Sequence, residues 1–155
     1  MVSIKFDLVG TGWAEAIITY QNETYKIDAS YLSDALKDLI NAVNMILQGG
    51  NGVVFRWLEE PGIYNWHLTR SGDSVNIKIH FYEEVIDENL VEHFINPKLI
   101  LEADCDLKEF ASQVKQGMER ILENIGESGY NEKWSEHPFP MEEYKELVRL
   151  LQVRN

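Results

Sequence analysis

The 155-residue chain has one cysteine, four prolines, few cations and no long apolar run. Cys105 alone can form no internal disulfide, and its strand-parity neighbours Leu101 and Ala103 are apolar. A buried strand thiol in a reducing cytoplasm is the expectation. No apolar stretch approaches the roughly 20 residues of a membrane span, so no membrane partner is expected. The start, MVSIKFDLVG, lacks the charged-then-apolar order of a signal peptide. Fourteen Lys and Arg stand against 26 Asp and Glu, a net charge of −12. Nucleic-acid binding rests on cations that neutralise phosphates, so that partner class is set aside. Phosphate-binding glycine motifs are absent, and so is a G-x-S-x-G nucleophile elbow. No two histidines have i, i+4 spacing, and one cysteine cannot build a zinc cluster. These absences point to a protein that is not an enzyme, with no catalytic residue, no cofactor and no metal.

What is present is a foldable chain. Apolar residues make up 45% and charged residues 26%, the mixture of a globular protein. Residues 1–155 are expected to form a single α+β domain, able to bury about 70% of its unfolded surface. Period-two alternation marks three early strands, with Ile4, Phe6 and Leu8 on one face, then Ala14, Ala16, Ile18 and Tyr20, then Tyr25, Ile27 and Ala29. A Gly10-Thr11-Gly12 loop pairs Leu8 with Ala14, and an Asn22-Glu23 turn pairs Tyr20 with Tyr25. A helix follows, capped by Ser30, striped by Leu32, Leu36, Leu39, Val43 and Ile46, and ended by Gly49-Gly50.

The stretch FRWLEEPGIYNWHLTRSGDSVNIKIHFYEE, residues 55–84, is dense in Trp, His, Arg and carboxylates. A turn at Pro61-Gly62 pairs Trp57 with Trp66 and Phe55 with Leu68, and a second turn lies at Ser71-Gly72-Asp73. Trp57, Trp66, Leu68, Val75, Ile77, Ile79 and Phe81 then share a face, which makes both tryptophans core. Arg56, Asn65, His67, Thr69, Asn76, Lys78, His80, Tyr82 and Glu84 fall on the other face. An antiparallel sheet may leave one face wet. Here that face is basic in an otherwise acidic protein, so Arg56, His67, Lys78, His80 and Tyr82 are a candidate ligand face for an anionic group.

Residues 85–97 are expected to form a loop with a helical turn near Leu90. KLILEADC reads as a strand with Leu99, Leu101, Ala103 and Cys105 on one side. Asp106 with Glu109 starts a strong helix whose stripe runs from Leu107 through Phe110, Val114 and Met118 to Ile125. GESGYNEKWSEHPFP reads as a loop anchored by Tyr130, Trp134 and Phe139, and MEEYKELVRLL closes the chain as a helix. The expected fold is α+β, mainly an antiparallel sheet of six or seven strands in β-β-β-α-β-β-β-(β)-α-α order, with helices packed on one face.

Carboxylates are abundant but do not form an evident dyad. Adjacent acids such as Glu59 and Glu60 point to opposite faces of a strand. Asp106 is accounted for by helix capping. Cys105, with Asp104 and Asp106 beside it, is disfavoured as a thiolate and so is no activated nucleophile.

Size, acidity, the lack of catalytic motifs and the order strands–helix–meander–helix together resemble the small cytoplasmic immunity proteins that bacteria pair with secreted toxins. The block WLEEPGIYNWHLTRSGDSVNIKIHFYEE also looks like a hairpin block of uncharacterised bacterial proteins. The resemblance implies a stoichiometric inhibitor with a basic protein partner, for which a charge of −12 is suited. Glu83, Glu84, Asp87 and Glu88 would supply the contacts, with Tyr130 and Trp134 as aromatic anchors. A small-ligand-binding or regulatory module using the polar sheet face is the competing reading. A homodimer built through an open sheet edge or the wet face is the third reading.

Overall fold

The computed structural model describes residues 2–134 and 137–153. The first three strands, β1 (Val2–Leu8), β2 (Trp13–Tyr20) and β3 (Glu23–Ser30), form an antiparallel sheet in that order. Leu8 faces Ala14 and Phe6 faces Ala16, as the glycine loop requires. The next turn lies at Gln21-Asn22, one residue earlier than the sequence pointed to, so Tyr20 pairs with Glu23 and Ile18 with Tyr25. Both turn residues are left-handed, with φ of 51° and 65°. That is the primed turn whose twist matches a two-residue hairpin, and Asn tolerates it well. The register slips by two, so the buried face survives: Ile4, Phe6, Ala14, Ala16, Ile18, Ile27 and Ala29 are all buried.

Helix α1 (Ala35–Leu47) is buried nearly all round. It starts four residues later than expected. Asp34 occupies its N-cap, while the buried Ser30 ends β3 and helps turn the chain, its hydroxyl receiving the Leu32 amide at 3.4 Å. Leu32 is therefore off the helix and exposed, whereas Leu36, Leu39, Val43 and Ile46 point into the core.

A second antiparallel sheet follows, with order β4 (Gly52–Leu58), β5 (Ile63–Ser71), β6 (Ser74–Ile86) and β7 (Glu92–Asp106). The single expected sheet is thus two sheets, one of three strands and one of four. β3 lies against β4 and β1 against β7, and one continuous core joins both sheets to the helices. The turn at Pro61-Gly62 is longer than expected, spanning residues 59–62, so Trp57 pairs with Tyr64 and Phe55 with Trp66. The slip is again by two and the faces hold. Trp57 and Trp66 are fully buried, their rings 4.9 Å apart, and Phe55 stacks on Trp66 at 5.2 Å. The Trp57 indole N–H donates to the Ala35 carbonyl at 2.9 Å, which fixes the first turn of α1 to the sheet. Each buried indole contributes roughly 4–6 kcal/mol of gross transfer free energy, before the entropy of ordering it.

Helix α2 (Leu107–Asn124) leaves β7 directly. The Asp106 carboxylate accepts the Glu109 amide at 3.0 Å, the N-cap read from the sequence. Two segments depart from expectation. Residues 126–133 form a short helix, α3 (Gly126–Lys133), rather than loop. Two glycines and no apolar stripe hide it, and the burial of Tyr130 and, just past its end, Trp134 holds it in place. Residues 85–97 are mostly strand: β6 runs on to Ile86 and β7 begins at Glu92. Helix α4 (Met141–Gln152) packs on α1 and α2, with Leu147 buried.

Candidate functional site

The most exposed part of this fold is the far end of the β6–β7 hairpin. β5 ends its pairing where Ile63 meets Tyr82, but β6 and β7 continue, Glu84 facing Phe94 and Ile86 facing Glu92. Beyond Tyr82 the sheet is therefore a two-stranded arm. Asp87 builds its tip. One carboxylate oxygen accepts the amides of Asn89 at 2.8 Å and Val91 at 3.0 Å, and the other lies 2.8 Å from His93 Nε2. These hydrogen bonds, that from His93 the strongest, hold the Asp87 carboxyl below its ordinary pKa.

The arm has an unusual surface. Leu90 is 84% exposed and Ile86 57%, and Val85, Val91 and Ile95 are exposed as well. Glu83, Glu84, Asp87, Glu88 and Glu92 lie among them, against the single cation Lys98. All four acids that the sequence singled out lie on this arm, with distinct roles. Glu88 has no side-chain partner among the described residues, Glu83 accepts from the Asn96 amide at 3.1 Å, and Glu84 lines a cleft at the arm's root, whereas Asp87 is committed to the turn.

Tyr130 and Trp134 belong to the core instead. Both are fully buried, and Phe139 meets Tyr130 edge-on at 5.3 Å. They offer no surface to a partner. Burial, and to a smaller degree the Asp34 carboxylate, raises the Tyr130 hydroxyl well above its ordinary pKa. Close by, His137 Nε2 reaches the Tyr31 carbonyl at 3.1 Å and Nδ1 faces Asp34 at 3.6 Å, which pins the chain before α4 to the start of α1.

Strand register lays out the polar face of the four-stranded sheet in rows. Gly52, Thr69, Asn76 and Asp104 form the first, Val54, His67, Lys78 and Glu102 the second, and Arg56, Asn65, His80 and Leu99 the third. Lys78 is paired with Glu102 at 3.7 Å, and His67 sits beside Thr69 at 3.4 Å. The proposed ligand face is therefore divided: Arg56 and Tyr82 line one open cleft with Asn65, Ile63 and Phe94, while His67 and Lys78 stand apart from it. His80 is next to this group, its ring 6.4 Å from that of Tyr82.

Leu99 reaches this face because β7 carries a bulge. Ile79 pairs with Leu101 but His80 with Leu99, so Ile100 is skipped and the alternation inverts. Leu99 was expected in the core and is 49% exposed. Cys105 is half-buried, and burial followed by the charges of Asp106, Glu109 and Asp104 pushes its thiol up to about 11. Among the described residues, no three His, Cys, Asp or Glu side chains form a group able to hold a metal ion. Among the described residues, no helix is long and apolar enough to cross a membrane.

The sequence reading missed the arm, although a signal was there. Asp-Glu-Asn lies between two runs rich in Val, Ile and Phe, the grammar of a hairpin.

No family model matches the chain, and no curated protein is significantly similar to it. Among solved structures, a chain of the CdiA-CT/CdiI toxin and immunity complex from Enterobacter cloacae is similar at 12% identity, over 75% of this chain and 96% of that one, with a TM-score of 0.42.

Proposed function

We propose that this is a non-enzymatic protein-binding protein of the immunity type, which neutralises a basic toxin by covering its working surface. The observation that carries the reading is the arm. It exposes five large apolar side chains among five carboxylates, on a hairpin that pairs with the rest of the sheet only at its root. Large apolar side chains exposed together on one hairpin are unusual at a monomer surface and suit a partner contact, and the like charge among them selects a partner of opposite sign and speeds encounter with it. Leu90, at the tip, is the natural anchor, and Glu83, Glu84, Glu88 and Glu92 supply the field. A second copy of the chain is a poor fit to the same surface, because two arms of this charge repel.

The test is capture of the partner from the native host at low salt, followed by release in a salt step. The expected eluate is one basic protein at near-equal stoichiometry, toxic when expressed alone and harmless when co-expressed. Reversing Glu83, Glu84, Glu88 and Glu92 to Lys should abolish capture and protection together, with Asp87 kept so that the turn survives. Undiminished capture by that variant would remove the arm from the interface, and a harmless partner would remove the immunity role.

A further inference from the structure

We propose that the cleft at the root of the arm binds a small planar monocarboxylate, with Arg56 as the anion anchor. The cleft is about 420 Å³ in volume and is lined by Arg56, Ile63, Asn65, Tyr82 and Phe94. Register brings the polar groups together. Arg56 faces Asn65 across β4 and β5, Asn65 faces His80, and Ile63 faces Tyr82 across β5 and β6. Side chains opposite one another in an antiparallel pair start about 5 Å apart, which puts the Asn65 amide beside the Arg56 guanidinium, and Tyr82, diagonal to Asn65 on β6, lines the same cleft. Arg56 is exposed and makes no ion pair or side-chain hydrogen bond among the described residues, despite a net charge of −12. Its planar fork matches the two oxygens of a carboxylate.

The remaining walls set the rest of the ligand. Ile63 is buried beneath the cleft, and the Phe94 ring stands at its side on the arm. The part-buried Phe94 ring offers a flat aromatic body a face to pack against. Charge sets the valence. Arg56 is the cleft's sole fully charged cation, Lys78 is occupied by Glu102, and Glu60, Glu84 and Glu92 line the adjoining cleft that shares Phe94. That balance accommodates one negative charge and disfavours a phosphate dianion. The site is separate from the arm's tip, so a ligand here lies at the junction of arm and sheet.

The probe is benzoate, titrated into the full ¹⁵N-labelled chain, with benzamide as the uncharged isostere and inorganic phosphate as the dianion. Saturable shifts are expected at Arg56, Asn65, Tyr82 and Phe94 with benzoate alone. Arg56→Ala should abolish them, and Arg56→Lys should weaken binding at least tenfold although the charge is kept. The indole signals of Trp57 and Trp66 report whether each variant is folded. Absence of saturable benzoate shifts, equal shifts with benzamide, tighter binding of phosphate, or binding that survives Arg56→Ala would each overturn the proposal. Because Leu90 lies outside the cleft, Leu90→Asp should leave benzoate binding unchanged, which separates this site from the partner surface.

Discussion

The side-chain carbonyl of Gln113, on α2, accepts the Ile4 amide at 2.6 Å, while its Nε2 donates to the Val2 carbonyl at 3.0 Å. One amide thus satisfies a donor and an acceptor on the outer edge of β1, much as a neighbouring strand would. An open edge is a template for unwanted pairing, and a helix laid over it removes the template. Gln113→Ala strands both backbone groups. The expected loss is about 1–3 kcal/mol, read as a lower urea midpoint at unchanged slope. Concentration-dependent association should appear with it.

Gly117 lies where α2 presses on the same strand. A Cβ there would come within 2.5 Å of the Phe6 ring, which is itself buried. Gly117→Ala gains helix propensity but overpacks this contact, and a net destabilisation of about 1–3 kcal/mol is expected. The double variant with Phe6→Leu should recover part of it in the same denaturation experiment. Additive losses would mean that the two residues are not coupled.

Asp38 sits in the first turn of α1, and burial, then the nearby Asp34 carboxylate, raises its pKa from 3.8 to about 6, against smaller lowering by His137 and Lys37. The folded state therefore binds a proton here that the unfolded chain has released. Between about pH 4 and pH 6 this group makes stability fall as pH rises. Asp38→Asn should raise the melting temperature relative to the natural chain at pH 7.5. The difference should shrink towards zero at pH 4. A pH-independent difference would contradict the account.

Asp87 titrates in the opposite sense. Its lowered carboxyl supports the arm's turn above the ordinary Asp range and loses that effect as pH falls through the depressed value. Asp87→Ala should expose the amides of Asn89 and Val91 to fast hydrogen exchange at neutral pH while core amides stay protected.

Cys105 is expected to be slow towards iodoacetamide. With a thiol near 11, the alkylation rate should keep rising past about pH 10, where an ordinary thiol has levelled off. A plateau by about pH 10 would show an ordinary thiol.

The parts of the fold that the sequence revealed are those set by parity. Both misplaced turns, at residues 21–22 and 59–62, moved the pairing by two, so no buried face changed sides. Turn position depends on which residues accept a left-handed backbone, a finer matter than alternation. The bulge at Ile100 was invisible because an inserted residue leaves no compositional mark, and it inverted Leu99. Helix α3 was invisible for a different reason: burial of Tyr130 holds it, and propensity does not. Of the candidate surfaces, the acids on the arm and Arg56 with Tyr82 on the sheet were legible as residues. Their grouping was not, since it depends on β6 and β7 outrunning β5.

That overrun separates two kinds of evolutionary constraint. Between residues 83 and 98 nearly every side chain faces solvent, and the hairpin's pairing uses backbone groups that any sequence supplies except proline. Substitutions there leave the packing of Trp57, Trp66 and α1 untouched. The tip is thus free to change sequence without disturbing the packed interior, and the constraint of close packing falls on the body alone.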